Sequence, residues 1–495
     1  MSVLAALLLV VVLLALLVVA ASCRRFGTWR RKGIPHPRPL PLFGNCIDAV
    51  LLRTSFYEAL DKIYRQFPGQ PYIGFYGGSS PMLLVCGSEA VKDITVKDFH
   101  VFTDHKLSPD SRYDTLFSKF LFCLLGDQWK SIRARQTPAF SSGRLKAMFP
   151  TVKATADRLC EVIDKRLDKD GAVGINGLCS RYGIDVIAAV AFGIEARALD
   201  SDEPPPFMKA VSAAFRFGPL EALITLALLF SSPVYHVLRA PIIKEWRAVV
   251  LRGLLREATE LREREPPRKD VFDTLLSLKK DGVPQVVFEA QVMSMQVAGS
   301  ETSSTAVLAI LWELALNQDC QDRLREELRE AVAKQGAVTY ELLHDAEYLD
   351  MVFKEAVRLW PVMPWLDRVA SEDYVLPGTN AVIEKGTVII IPIFSFHRDP
   401  ERFDDPDTFK PERWAPENVA KIDKMSYLPF GNGPRACIGF RFANMSVKSA
   451  VASVVLKYRI GMAEGTPKSH AELELSPLSF IISPHKELPL RFERL

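Results

Sequence analysis

The apolar residues of this 495-residue chain recur mostly with the spacing of amphipathic helices. The longest such pattern, Val286 to Asn317, predicts one helix of thirty-two residues, which would span ~48 Å at the standard rise. Shorter helices are expected at Ser55 to Gln66, in segments between Val152 and Phe192, and at Phe440 to Val455. The pattern therefore predicts a mainly α fold.

Short apolar runs bounded by glycine and proline predict strands that form only small β-sheets. They are Tyr72 to Tyr76, Met82 to Val85, Val375 to Leu376, Ala381 to Ile383, Val388 to Ile391 and Ser479 to Ser483. No internal repeat and no linker-like cluster of Gly and Pro divides the middle of the chain, so we expect one large domain over 46–495.

Residues 1–22 contain an unbroken apolar run, Val3 to Ala21, that is long enough to cross a bilayer as a helix. Basic residues follow this run and none precedes it, which favours an uncleaved anchor with the rest of the chain in the cytosol. Small residues before Cys23 leave cleavage as an alternative. Residues 23–45 form a basic linker, in which alternating prolines predict a stiff extended spacer.

A second apolar stretch, Pro219 to Val237, is interrupted by Glu221 and by Ser231-Ser232-Pro233, which argues against a second membrane span. We expect it either to dip into the bilayer surface beside a substrate entrance or to form an ordinary buried helix. Hydropathy by itself does not separate these two interpretations.

Composition adds limits on partners and compartment. The 62 basic and 59 acidic side chains give a net charge of +3, so nothing demands a nucleic-acid partner. The eight cysteines show neither paired nor metal-finger spacing, which indicates a reducing compartment. Together with the anchor, this predicts the endoplasmic reticulum membrane, with the main domain on its cytosolic face.

The candidate chemistry centres on the stretch from Phe430 to Gly439, Phe-Gly-Asn-Gly-Pro-Arg-Ala-Cys-Ile-Gly. Its glycines let the backbone approach a flat macrocycle, and Cys437 precedes a predicted helix whose positive end favours a thiolate. Arg435 could reach a haem propionate, and Phe430 could shield the sulfur. A lone cysteine is usually a small buried hydrophobe, and no Lys-Ser/Thr pair supports a phosphate loop. We interpret the stretch as a haem-thiolate loop.

Polar residues interrupt the long helix at Ala298-Gly-Ser-Glu-Thr302. Because unpaired polar groups cost stability inside a protein, these residues indicate a structural or functional role. Beside a haem, Glu301 and Thr302 could pass protons to dioxygen, with Gly299 leaving room for the gas. The alternative is a hydroxyl that bonds back to its own helix.

Two further sets of residues are weak signals by themselves. Trp129 and Arg133 lie one helical turn apart on one face and are candidate propionate donors. Glu355 and Arg358 are three residues apart and could form a buried charge network with Arg413, whose role would be structural.

In this order, these motifs resemble those of a microsomal cytochrome P-450, over nearly the whole chain. They are the proline spacer, Trp129-x-x-x-Arg133, Ala298-Gly-x-Glu-Thr302, Glu355-x-x-Arg358 with Arg413, and the cysteine loop. The resemblance implies the helical fold named after the family, haem b, and O2-dependent monooxygenation. Electrons would come from NADPH through NADPH-cytochrome P-450 reductase, with cytochrome b5 as a further candidate donor.

The resemblance also implies residue roles. It makes Cys437 the axial iron ligand and Thr302 with Glu301 the proton-delivery pair. The structural set would be Glu355, Arg358 and Arg413. The haem contacts would be Trp129, Arg133, Arg368, Phe430 and Arg435. The substrate cavity would use Phe117, Phe120, Ala298, Met363, Trp365, Leu366, Leu478 and Phe480.

Shorter sequence motifs, such as Pro71-Tyr-Ile-Gly-Phe-Tyr76 and His397-Arg-Asp-Pro400, are similar to those of the clan of vertebrate family 3 and insect family 6. That resemblance implies an arthropod enzyme that oxidises xenobiotics or modifies hormones. The chain departs from it at Phe102-Thr-Asp-His105, where relatives commonly have Arg instead of His105. A propionate contact there would be weakened or pH-dependent.

We therefore expect a haem-thiolate monooxygenase that inserts one atom of O2 into a lipophilic small molecule. Two alternatives stay open: a haem-thiolate isomerase or dehydratase that works without O2, and a non-catalytic membrane haem carrier or sensor. The reductase is expected to dock near Cys437, on the side that carries Lys130, Arg133, Arg135 and Arg441.

Overall fold

The computed structural model describes residues 3–167, 171–201, 218–230, 235, 237, 240–264 and 270–495. The side chains at 3–8, 10, 11, 14, 15, 254, 257, 258 and 261 also lie outside the description. The described chain is mainly helical with small sheets, as the sequence predicts.

Helices account for most of the described residues. Those before the central helix are α1 (Val3–Cys23), α2 (Thr28–Arg31), α3 (Ile47–Val50), α4 (Phe56–Tyr64), α5 (Ser88–Lys92), α6 (Gly126–Gln136), α7 (Ser142–Arg166), α8 (Asn176–Ile187), α9 (Pro219–Leu229), α10 (Glu245–Glu263) and α11 (Val271–Lys280). Then follow α12 (Gln285–Leu316), α13 (Gln318–Gln335), α14 (Tyr340–Asp345), α15 (Glu347–Leu359), α16 (Ile393–His397), α17 (Pro416–Val419) and α18 (Phe440–Lys457). Short 3-10 or π turns lie at Asp93–Lys97, Phe117–Lys119, Thr137–Phe140, Ala188–Phe192, Pro411–Trp414, Gly433–Arg435 and His470–Glu472.

The strands form small sheets. They are β1 (Tyr72–Gly77), β2 (Ser80–Val85), β3 (Ala172–Gly174), β4 (Leu366–Val369), β5 (Tyr374–Val375), β6 (Val382–Ile383), β7 (Val388–Ile391), β8 (Tyr458–Met462) and β9 (Pro489–Arg494). In the described part of the chain they pair in the orders β1-β2-β7-β4, β3-β9-β8 and β5-β6. Only the β2–β7 pair among these is parallel.

Most predicted elements are confirmed, with ends that shift by a few residues. Ser55 caps α4 because its side chain and that of Glu58 satisfy each other's backbone N–H groups. The predicted strand from Ser479 to Ser483 is wrong: Ser483 accepts from the Ser476 N–H at 2.9 Å, and the Ile482 N–H donates to Val362. This segment does reach back into the molecule, but no continuous strand lies beside it. Strands β3, β4, β8 and β9 were not predicted.

Helix α12 passes through the middle of the fold and differs from the prediction by one residue at each end. It contacts α8, α11, α15 and α18, and it is buried along most of its length. A helix covered on so many sides needs apolar residues all round, which explains why the whole stretch reads as apolar. Polar residues on α12 therefore depend on partners within the protein, and the buried side chains of Gln296 and Ser303 have none among the described residues.

Helices α8 and α12 cross at very short range. A Cβ atom at Gly183 would clash with the Ser304 hydroxyl and with the Ser300 carbonyl oxygen. A Cβ atom at Gly299 would lie 2.5 Å from Ile187 Cδ1. Our interpretation of Gly299 as room for dioxygen is therefore wrong, because this glycine faces the neighbouring helix and allows the close approach.

The first part of the chain packs on β1. The Trp29 side chain is buried and donates from Nε1 to the Phe75 carbonyl oxygen at 3.0 Å, and the Pro35 carbonyl oxygen accepts from Gly74.

Of the predicted anchor 1–22, many side chains lie outside the described residues. Among the residues that are described, no helix is both long enough and apolar enough to cross a membrane.

The crossing of α8 and α12 gives a first prediction. Gly183→Ala should lower the free energy of unfolding by about 1–3 kcal/mol, because the added methyl group meets a backbone oxygen that has no room to move. Urea denaturation of the haem-loaded protein measures this. Gly177→Ala, on the same helix with open space around its Cα, should leave stability unchanged or slightly raised. Equal midpoints for both variants would contradict the close crossing.

Candidate functional site

The predicted haem-thiolate loop folds back on itself in front of α18. The Cys437 N–H donates to the Phe430 carbonyl oxygen at 2.8 Å. Gly433 has a φ of 70°, in the left-handed region that favours glycine. A side chain there would also overlap the Thr95 carbonyl oxygen. Glycine at this position thus serves both the turn and the close contact with the 93–97 segment.

The Cys437 side chain is exposed, yet the surrounding protein is dense enough for burial to raise the pKa of its thiol. The sulfur therefore faces an internal space rather than the outer surface. The Gly439 N–H and the Arg133 cation act in the opposite direction. Our expectation of a low pKa is wrong for the protein alone, because desolvation outweighs both effects. A coordinating metal ion would deprotonate the thiol.

The polar interruption of α12 also borders an internal space. Ala298 is exposed although Val297 is buried, and Thr302 is half-buried one turn later. Helices α12 and α18 pack against each other, so this face and the cysteine loop lie on neighbouring helices. The Thr302 hydroxyl donates to the Ala298 carbonyl oxygen, which is the bond to its own helix that we had kept as an alternative.

Glu301 is buried and points toward α8. The Ser180 hydroxyl donates to its carboxylate at 3.0 Å. Both residues line a cavity of about 320 Å³ that is also bordered by Ser304 and Leu478. Sequence reasoning missed Ser180, because no local pattern links a serine on one helix to a carboxylate on another.

Three predicted propionate donors, Trp129, Arg368 and Arg435, form a group that we call the cation cluster. The Arg435 guanidinium carbon lies 4.0 Å from the Trp129 ring centroid, and its Nη2 is 3.5 Å from Asp104. Arg368 is buried, and its Nε has no hydrogen-bond partner. Burial lowers the pKa of Arg435 to about 9, and the Arg368 charge adds to this; burial lowers that of Arg368 to about 10. Such a pair of desolvated cations suits an anion.

The carboxylate next to Arg368 in sequence is engaged by other groups. Asp367 lies 3.0 Å from His105 Nδ1 and accepts from the Lys106 backbone N–H. Burial lowers the pKa of His105, so the ring is neutral near pH 7 and Nδ1 carries the proton that it donates. No ion pair joins Asp367 to Arg368 within the described ranges. Asp367 therefore acts on Arg368 through its charge without a direct ion pair, and the Arg368 Nε remains without a hydrogen-bond partner.

The predicted structural residues come together out of reach of water. Arg358 meets Glu355 through two N–O contacts of 2.8 Å, and neither side chain has accessible surface. Arg413 Nε lies 3.3 Å from the same carboxylate, and the Trp414 indole donates to it at 2.9 Å. The Glu355 carboxylate is thus shared among several donors, as a buried charge requires.

His397 extends this network toward the cysteine loop and was missed as a site residue. Its Nδ1 donates to the Arg358 carbonyl oxygen at 2.9 Å, and its Nε2 accepts from the Leu428 N–H at 3.0 Å. Burial and the Arg358 charge lower its pKa to about 3, so the ring stays neutral. Since Leu428 lies two residues before Phe430, the ion pair is connected to the start of the loop.

The predicted substrate residues fall into separate groups. Trp365, Leu478 and Phe480 line a narrow cavity of about 40 Å³ against α9, where the Trp365 and Phe480 rings meet edge-on at 4.8 Å. Phe117 and Phe120 are buried, with ring centroids 5.1 Å apart.

The remaining substrate candidates lie elsewhere. Leu366 borders the loop, where an added Cβ at Gly431 would be 3.6 Å from its methyl carbon. Met363 is half-buried, and Ala298 has been described above. The predicted substrate residues therefore lie in several separate parts of the structure.

The donor set fits a haem that is held by a thiolate. Cys437 offers a sulfur toward an internal space, and the cation cluster offers two buried guanidinium groups for carboxylates. Phe430 stacks with Phe353 at 6.2 Å and contacts Phe440 at 6.3 Å, so aromatic rings surround the start of the loop.

Comparison with known proteins agrees with this geometry. The sequence profile of the family "Cytochrome P450" matches residues 34–487. The chain therefore belongs to the cytochrome P450 family, and its predicted fold and enzyme class are confirmed. The family implies haem with a cysteine thiolate ligand, and electrons from NADPH that arrive through a reductase. The chain is accordingly a haem-thiolate monooxygenase.

Its curated relatives include insect members of family 6. Cytochrome P450 6a2 of Drosophila melanogaster is 36% identical over 496 residues, covering 95% of this chain and 96% of the relative. Cytochrome P450 6k1 of Blattella germanica is 34% identical, covering 94% and 93%. Cytochrome P450 6B2 of Helicoverpa armigera is 32% identical, covering 93% of each. The predicted likeness to insect family 6 is confirmed.

The buried ion pair yields a second prediction. Glu355→Ala should destabilise the protein by several kcal/mol, on the order of 3 to 5, because it leaves Arg358 charged and unpaired inside the protein. The urea midpoint of the haem-loaded protein measures this. Glu341→Ala removes an ion pair with Lys146 on the surface and serves as the matched control, with no measurable change expected. A wild-type midpoint for Glu355→Ala would overturn the assigned network.

Proposed function

We propose that Cys437 is the axial ligand of haem b and that the enzyme oxidises a lipophilic small molecule, either a xenobiotic or an endogenous hormone or lipid. The observation that carries the proposal is the Cys437 sulfur facing an internal space at the start of α18, on a loop whose Arg435 belongs to the cation cluster. When bound, the haem supplies the activation of O2, and thiolate ligation favours O–O cleavage.

Each loop-side residue has a distinct task in this proposal. Arg368 and Arg435 bind the two propionates, and Trp129 holds the Arg435 guanidinium against its ring. Arg133 donates to the Ala436 carbonyl oxygen at 2.8 Å, so it orients the loop in addition to any contact with a propionate. Phe430 keeps water away from the sulfur.

Thr302 and Glu301 deliver protons in the proposed reaction. The Thr302 hydroxyl lies on the face of α12 that borders the internal space, where it can exchange its bond to Ala298 for a water molecule. Glu301 borders the polar cavity through Ser180, which supports a supply of protons from that side. This pair also argues for oxygen chemistry over an O2-independent isomerisation.

The walls near the site favour a lipophilic substrate. Phe117 and Phe120 of the loop before α6, Ala298 of α12, and the Trp365–Phe480 pair supply mainly apolar side chains from separate parts of the fold. Burial of apolar area is the main favourable contribution when such walls bind a ligand.

We further propose that residues 1–22 anchor the enzyme in the endoplasmic reticulum membrane, that 23–45 lead away from the bilayer, and that 46–495 form the catalytic domain on the cytosolic face. Helix α9 supports this, because Leu220 and Leu223 are exposed while Ile224 and Leu228 are buried. Its exposed leucines would rest on the membrane surface.

The reductase, and cytochrome b5 as a second donor, would approach the side of the cysteine loop. Lys130 and Arg135 are exposed on α6, and Arg441 is exposed at the start of α18. Lys130 and Arg135 face single carboxylates, Asp127 at 3.3 Å and Asp281 at 3.5 Å, that an acidic partner could displace.

The ligand assignment is tested with the carbon monoxide difference spectrum of the reduced protein. The wild type should show the long-wavelength Soret band of thiolate ligation, and Cys437→Ala should lose it, because the sulfur is removed. Cys320→Ala, which removes a half-buried free thiol, should keep the band. A wild-type spectrum for Cys437→Ala would overturn the assignment. A wild type with that band but no NADPH consumption by the reductase-reconstituted protein would indicate a haem carrier.

Proton delivery gives a separate prediction. With purified reductase and an alkoxycoumarin probe, Thr302→Ala should lower product formed per NADPH several-fold and raise hydrogen peroxide, while the haem spectrum stays normal. The control is Thr259→Ala, which removes a comparable hydroxyl on α10 that bonds to its own helix at 2.8 Å. This variant should keep wild-type coupling. Unchanged coupling in Thr302→Ala would mean that protons arrive by another route.

A further inference from the structure

A cavity of about 390 Å³ lies between the segment 106–128 and the end of α9. Its wall includes Lys106, Lys119 and Gln128 from the segment, and Leu228 from α9. Neither the cysteine ligand nor the cation cluster lines it. It is therefore separate from the haem-binding residues, and we call it the basic cavity.

The ammonium groups of two wall residues, Lys106 and Lys119, make no ion pair with the described residues. The hydrogen bonds of Lys106 and Lys119 are made by their backbone atoms, and among the described residues their Nζ atoms take part in none. Burial lowers the pKa of Lys106, so its charge is partly withdrawn from water. The acidic wall residue Asp110 contacts Arg112, 2.5 Å away. Asp367 attracts the Lys106 charge, but its two carboxylate oxygens bond to His105 and to the Lys106 backbone N–H.

The same cavity also has apolar lining residues. They are Leu124, Ala227, Leu228 and Leu125, which is 45% exposed. The volume lies within the range of about 300–1,000 Å³ that holds small ligands. Lysine and leucine side chains in one cavity are complementary to a molecule with an anionic head and an apolar chain.

We propose that the basic cavity binds an organic carboxylate, with its head group at Lys106 and Lys119 and its chain along Leu124 and Leu228. The carboxylate offsets the two ammonium charges, and the chain removes leucine surface from water. Because Phe117 and Phe120 belong to the same segment, the occupant lies beside the substrate wall but not at the iron ligand.

The test uses full-length, haem-loaded protein whose iron is saturated with 4-phenylimidazole, so that the site of oxidation is blocked. Calorimetric titration with decanoate should show saturable binding that weakens as sodium chloride is raised. Decan-1-ol, which has the chain without the charge, should bind at least about tenfold more weakly than decanoate. The absence of saturable decanoate binding, or equal affinity for the alcohol, would overturn the proposal.

Lysine variants locate the binding site. Lys119→Met and Lys106→Met keep a long side chain but remove the charge, and each should weaken decanoate binding about fivefold. Lys119→Arg should retain it. Lys130→Met, on the exposed face of α6 outside the cavity, is the matched control and should bind like the wild type.

Wild-type affinity in both methionine variants would place decanoate elsewhere and refute the assignment. The carbon monoxide spectrum checks that each variant is folded. If Lys106→Met fails to load haem, the comparison of Lys119→Met with Lys119→Arg decides.

Discussion

The Glu355 carboxylate, which has no accessible surface, constrains the part of the chain that leads to the cysteine loop. A charge in that position is tolerated only when donors surround it, so Arg358, Arg413 and the Trp414 indole must converge on it. From Arg358 the contacts continue through His397 to the backbone just before the cysteine loop. Residues that take no part in the chemistry thus determine where the loop begins.

Sequence patterns predicted the features that depend on neighbours along the chain. The length of α12, the helix that starts near Ser55 and the loop motif are of this kind, and each is visible in consecutive residues. Strand β4 was missed because it carries two charged residues, Asp367 and Arg368, and Asp367 is buried only because partners bond to it. His105 is one such partner and lies 262 residues away. No local pattern contains that information.

The Cys437 thiol shows the same division in its electrostatics. The sequence correctly places the residue before a helix, and the helix end and Arg133 do favour the thiolate. The net direction is set by how densely the rest of the protein surrounds the sulfur, which is a property of packing from distant segments. Gly299 is a second example. The sequence placed it within α12, but it did not show that Gly299 faces α8.

The histidine at position 105 also has an electrical consequence for the metal. A neutral imidazole contributes no fixed positive charge, whereas an arginine at this position would contribute one. In the proposed arrangement the haem edge is then neutralised by fewer cations. Ferric haem carries one more positive charge than ferrous haem, so a less positive surrounding favours the ferric form and lowers the reduction potential. This chain would accept its first electron less readily than an otherwise identical enzyme with arginine there.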